Sequence, residues 1–221
     1  LDGLNRGGVE AVYTTCLVAH TLAEPGRPVA ARHQFAVPFD ADLLAVTNLT
    51  PVISVVARRF DPEDPMVDAR GAIQEDWAMW LGLVRGHGWR MRHLAPATTV
   101  YHRIPAVASM TGAAGTTVAG IRRFAVGHQR LHQRWPVDPG SRAGRARWMP
   151  HHLYDLVGAR HLHGQPVDPF YYEKALPVIA DAITAGMDRA DAEAALDAAV
   201  AADRAPDPRP RTATTRTETP R

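Results

Sequence analysis

The chain is nearly without cysteine and lysine, and it has no long apolar run. Cys16 is the one cysteine in 221 residues, which excludes an internal disulfide and fits a reducing compartment. No stretch approaches the roughly 18 uninterrupted apolar residues of a membrane span. Charged and glycine residues interrupt the opening segment, so no signal peptide is read there. The expected location is therefore the cytoplasm. Lys174 is the one lysine, so arginine supplies nearly all of the 25 basic side chains. With abundant Ala and Pro, that bias is the mark of a GC-rich genome, and arginine numbers here report codon supply as well as chemistry. The net charge is only +2. The basic cluster Arg142, Arg145 and Arg147 has Trp148 as its one flanking aromatic, too little for an interleaved stacking platform. It reads as a solvated loop, with a peripheral contact at the inner face of the membrane as its functional alternative. Nucleic acid is not an expected partner.

What is present is a globular core. The apolar fraction is 46%, and one domain with an appendage fits the length. Val9 to Ala19 (VEAVYTTCLVA) is dense in Val, Tyr, Thr and Cys, as a buried strand would be. A turn cluster follows at Glu24–Pro28, then an extended, proline-broken stretch at Phe35–Asp40. From Asp42 a short helical pattern leads to a polar turn at Thr47–Asn48 and a second strand, Val52 to Ala57. Residues 60–73 read as loop, because Asp61-Pro62 and Asp64-Pro65 hold the preceding residue out of helix. A helix is predicted from Gln74, with Trp77, Trp80, Leu81 and Val84 on one face and Gly86 and Gly88 as stops. Two short strands, Trp89–Leu94 and Thr98–Tyr101, come next.

The character changes near Val118. Helices are predicted at Ala119–Trp135, His152–Arg160, Pro169–Ala185 and Arg189–Asp203, the last capped by Asp188, with a basic glycine-containing linker at 138–147. Arg204 to Arg221 holds only Arg, Ala, Pro, Asp, Thr and Glu, and is expected to be disordered. This divides the chain into an α/β part at 1–117, a helical extension at 118–203 and a tail at 204–221. The opening Leu-Asp-Gly-Leu reads as a start inside an element, with residues missing upstream.

The tetrapeptide Gln74-Glu75-Asp76-Trp77 carries the most chemistry. Two adjacent carboxylates stand at the first turn of a predicted helix, where free N–H groups and the dipole favour negative charge. At about 100° per residue they diverge, so one can face a cleft while the other makes a structural contact. A carboxylate held there can accept a proton from a bound hydroxyl as that hydroxyl attacks an electron-poor carbon. The plainer reading is two acidic residues stabilising a helix start.

The string EDWAMWLGLVRGHGWRMRHLAPATTVYHR resembles the ED-motif segment of family-2 glycosyltransferases. There, Glu-Asp-Trp-x-x-Trp-Leu opens a helix, Gly ends it, a strand follows, and a proline-marked element reaches an aromatic–Arg–x–His-like loop. Upstream, Thr47-Asn48, Val52 to Arg59 and Phe60-Asp61 resemble the family's elements before that motif, and VYTTCLVA resembles a strand soon after its metal-binding acidic motif. The resemblance covers roughly residues 9 to 110. It implies an α/β fold of GT-A type, here a partial mixed sheet with flanking helices, and an inverting sugar transfer from a nucleotide-diphosphate sugar to a glycan or small-molecule acceptor, as in polysaccharide biosynthesis. Asp76 matches the catalytic base and Glu75 its structural or acceptor-contacting partner. Asn48, Trp77, Tyr101, His102 and Arg103 fall at acceptor or substrate positions. A divalent cation, Mg or Mn, is expected in the complete enzyme. No Asp-x-Asp motif stands before VYTTCLVA, where the resemblance would place the one that holds it, so no metal ligands are assigned. The tyrosine loop reads Tyr101-His102-Arg103 where the family often has Tyr-Arg-x-His. The alternative function is a non-catalytic binding or interaction module that keeps a remnant of that fold.

Other candidates lead to bland roles. His87, His93, His128, His132, His151, His152, His161 and His163 have no closed-site ligand spacing and read as surface or capping residues. Ser109 has no paired base in sequence. Cys16 reads as inert burial. Trp77, Trp80 and Trp89 would stack a sugar ring or, at helical spacing in the first two, fill a core.

Overall fold

The computed structural model describes residues 8–19, 31, 33–60, 74–102 and 117–201. The turn at 24–28, the loop at 61–73, Arg103, the Ser109 loop and the tail beyond Arg204 lie outside the described residues. The described part is mixed α/β. Strand β1 (Ala11–Ala19) is central, and its pattern is buried at nearly every position, as a strand covered on both faces requires. It pairs antiparallel with β2 (His33–Phe35) along one half and with β3 (Val55–Ala57) along the other. Its opposite edge pairs parallel with β4 (Met91–His102).

Two strand expectations change. The two short strands around Pro96 are a single strand, β4, whose register against β1 shifts twice, between Thr14 and Thr15 and again between Thr15 and Cys16. Proline has no N–H for the ladder, and a bulge carries the strand past it rather than ending it. The strand expected over Val52–Ala57 survives only as β3, because Val52–Ser54 forms a 3₁₀ turn. The Ser54 hydroxyl donates to the Pro51 carbonyl (2.9 Å), a local bond that competes with strand pairing.

The helices follow their sequence signals more closely. Helix α1 (Ala41–Leu44) is capped by Asp40, whose carboxylate accepts from the Asp42 and Leu43 amides. Helix α2 (Glu75–Leu81) continues as a π turn over Gly82–Gly86, and Trp77, Trp80 and Leu81 are buried on its inner face. Helix α3 (Val118–Arg134) is capped by Thr117. The expected basic linker contains a helix, α4 (Arg142–Ala146), started by the Ser141 hydroxyl on the Gly144 amide (3.0 Å). Helices α5 (Trp148–Leu162), α6 (Tyr171–Ala185) and α7 (Arg189–Val200) complete the order, with Asp188 capping α7 as expected. The lone lysine serves here too: Lys174 Nζ meets the buried Asp168 carboxylate at 2.5 Å, beside the start of α6.

The arginine cluster is built into this frame. Arg147 donates to the carbonyls of Ala45, His132 and Trp135, Arg145 to that of Gly140, and Arg142 pairs with Asp40 and Asp42. Helix α6 packs on β2 and α1 as well as on α4 and α7, and α3 packs on α5. The buried apolar residues of the sheet and of the helices after Val118 therefore form one continuous cluster. Among the described residues no helix is long and apolar enough to cross a membrane.

Candidate functional site

The site is built where α2 begins. Gln74, the residue before the helix, sits in the left-handed region at φ 75°, the one described non-glycine residue with positive φ. That conformation costs a side-chain-bearing residue about 1–2 kcal/mol, so something must hold it. Its amide Nε2 lies 2.6 Å from Nδ1 of His128, which is fully buried on α3. Two replacements separate strain from bonding. Gln74→Ala and Gln74→Gly both lose the amide bond, but only glycine relieves the backbone. The glycine variant is expected to be the more stable by about 1 kcal/mol in urea unfolding; equal midpoints would mean the backbone there is unstrained.

Asp76 follows on the first turn. One carboxylate oxygen accepts from the Trp77 amide (2.8 Å) and the other from Nδ2 of Asn48 (3.0 Å). The side chain is half-buried, whereas Glu75 is exposed. Burial raises the Asp76 carboxyl above the ordinary carboxylate range; the Trp77 amide and Asn48 oppose the shift, and neighbouring Glu75 adds to it. The arrangement is an oriented carboxylate with enhanced basicity at a helix start.

Behind Asp76 lies a chain of buried polar groups. The Tyr172 hydroxyl has the Asn48 carbonyl as its acceptor (2.7 Å). The Thr47 hydroxyl, 2.7 Å from Tyr172, must then donate to it. Thr47 Oγ1 also lies 3.2 Å from His128 Nε2, and the Gln74 amide lies 2.6 Å from Nδ1 of the same ring. His128 thus bridges Thr47 and Gln74 through its two ring nitrogens. His132, one turn along α3, donates from Nε2 to the Val46 carbonyl (2.9 Å) and takes the His151 Nε2 proton on Nδ1 (3.1 Å). The Trp77 ring rests against both His128 and His132.

The expectation that His128 and His132 are surface or capping residues is therefore corrected: both are buried. Burial lowers their proton affinity, and it pushes His132 down to about 4, with Arg147 and His151 adding repulsion against the Val46 bond that opposes it. The sign of the linkage follows. Above pH 6.5 these rings are neutral folded or unfolded; below it the unfolded chain binds protons that the folded chain refuses. Stability should then fall as pH drops from 6.5 toward 4, by up to about 1.4 kcal/mol per pH unit for His132 alone. Asp76, whose affinity is raised, acts in the opposite direction. Urea midpoints across this range test it, and a His132→Gln chain should have the flatter profile; an unchanged slope would contradict the assignment.

Of the residues singled out by sequence, the structure joins Asn48 to Asp76. Trp77 is fully buried and its indole N–H donates to the Leu44 carbonyl (2.7 Å), so it is a core residue with no face for a sugar. Trp80 and Trp89 are buried as well. Tyr101 and His102 are the last residues of β4, opposite Val18 and Ala19, and the hydrogen bonds of Asp76 run elsewhere. Arg103 lies outside the described residues. Cys16 is buried, and burial raises its thiol. Thr47, His128 and Tyr172 were not anticipated as parts of the site. The available signal was His128 and His132 four apart on a helix, on the face that also carries the apolar Ile121 and Leu131. Among the described residues no group of three or more His, Cys, Asp or Glu side chains is placed to hold a metal ion. Compared with protein-family models, with curated proteins and with solved structures, the chain matches none of them.

Proposed function

We propose that this chain is the acceptor-side part of an inverting glycosyltransferase with a partial GT-A-type fold, and that Asp76 is its general base. The observation that carries the reading is the state of that carboxylate. It is half-buried, oriented through both oxygens and raised in proton affinity by burial, at the helix start where the ED motif resemblance expects it. In the reaction the acceptor hydroxyl attacks the anomeric carbon of a nucleotide-diphosphate sugar. Asp76 takes the hydroxyl proton, the carbon–oxygen bond to the diphosphate breaks, and the nucleoside diphosphate leaves with inverted configuration at the sugar. Asn48 keeps the receiving oxygen in place through its amide. Leaving-group charge needs a cation or N–H donors, and the described residues do not fit the expected Mg or Mn ion, so no step is assigned to a metal here.

The test joins the chain to an upstream half bearing an Asp-x-Asp motif and screens nucleotide sugars for transfer. Product of inverted anomeric configuration supports the reading. Retained configuration, or hydroxyl acceptors left unmodified with every donor, contradicts it and favours the binding-module alternative.

A further inference from the structure

The helices after Val118 have no assigned part in the chemistry, yet two of their residues end on the Asp76 assembly. Tyr172 comes from α6 and His128 from α3, both distant in sequence from Asp76. Tyr172 holds the main chain of Asn48 by its carbonyl, while the side chain of the same Asn48 donates to Asp76. One residue thus connects the helical part to the carboxylate, through one bond on each side. Thr47 fixes Tyr172 from behind, at 2.7 Å, and is itself fixed by His128. His128 also secures Gln74, the residue that sets the direction in which α2 starts. The carboxylate is therefore braced from two sides, from Asn48 and from the helix start, and both braces are anchored in the helices. Tyr172 is also close enough for the Asp76 charge to add to the effect of burial in raising its hydroxyl.

We infer that Tyr172 is a positioning residue for Asp76: by clamping Asn48 it keeps an amide donor on the carboxylate, so the helical part belongs to the site rather than being an appendage. The inference rests on the reading of Asp76 as the base, but its test does not need sugar transfer.

The test is the titration of the Asp76 side-chain carboxyl, followed by carbon-detected NMR in the intact chain. Asn48 donates to the ionised form, so its loss favours the protonated form. Asn48→Ala should raise the Asp76 pKa, and Tyr172→Phe, which leaves Asn48 in place but unclamped, should raise it by about 0.5 unit or more. Thr47→Val, which removes the support of Tyr172 but keeps its hydroxyl, should raise it by less. Tyr13→Phe is the control. It removes a buried hydroxyl bonded to the Val37 carbonyl, with comparable structural consequence and no link to Asp76; it should leave the titration unmoved. If Tyr172→Phe does not fold, the Thr47→Val shift decides the matter. An Asp76 pKa unchanged in whichever of these chains folds overturns the inference, as does an equal shift in Tyr13→Phe. A positive titration with no sugar transfer in the joined chain would leave this inference standing and remove the catalytic reading; the reverse pair of results would do the opposite.

Discussion

Trp77→Ala is expected to destabilise the fold by about 3–5 kcal/mol, the loss typical of removing a fully buried large aromatic. Trp77 is fully buried, against the imidazoles of His128 and His132, and its indole N–H satisfies the Leu44 carbonyl at the end of α1. Alanine leaves a cavity and an unpaired buried carbonyl at once. Trp77→Phe restores part of the volume but not the donor, and should fall between the two. Trp148 supplies the comparison. It is only half-buried, between Arg189 and His152, and Trp148→Ala should cost far less. Urea unfolding followed by circular dichroism measures all three; similar losses at Trp77 and Trp148 would contradict the full burial of Trp77.

How much of this was legible in the sequence depended on whether local pattern or distant contact decided each element. Strand β1 declared itself, because a strand covered on both faces is continuously apolar and β-branched. The start of α2 was set by its acidic pair and the tryptophan spacing, and that of α7 by Asp188. Such signals lie within a few residues of what they specify. The 3₁₀ turn at Val52–Ser54 was not legible from β-branched density, since the deciding bonds run between the Thr50 and Ser54 hydroxyls and the Pro51 carbonyl. Helix α4 was overlooked because its glycine and arginines suggested a linker, although Ser141 three residues before Gly144 was a cap in plain view.

The site divided in the same way. Asp76 and Asn48 stood out in the sequence, and the structure joins them. The polar chain behind them did not, because Thr47, His128 and Tyr172 come from three segments and only folding brings their side chains within bonding distance. A histidine in sequence carries no sign of burial. His128 and His132 are tolerated inside only because each ring nitrogen has a partner. Trp77 shows the converse: helical spacing left core and sugar contact both open, and burial decides for core.

On the proposed reading of Asp76 as general base, Asp76→Asn carries the largest expected effect on function. Asparagine preserves the size of the side chain and the helix start, but it cannot accept the acceptor's proton. The loss of general-base catalysis is about 10²–10⁴-fold, and it should fall on the chemical step rather than on substrate binding. Glu75→Gln changes an exposed side chain beside it and should cost much less. The raised affinity of Asp76 also sets the sign of the pH profile: the rate should rise with pH as the carboxyl ionises, with its midpoint above the ordinary aspartate value, and this limb should vanish in the asparagine chain. The most direct measurement is single-turnover sugar transfer by the chain joined to an upstream half bearing an Asp-x-Asp motif, comparing Asp76→Asn with the parent at saturating substrates. A rate lower by at least about 100-fold, with both proteins equally folded, is the result expected of a general base; full turnover by the asparagine chain would reduce Asp76 to a residue that only stabilises its helix.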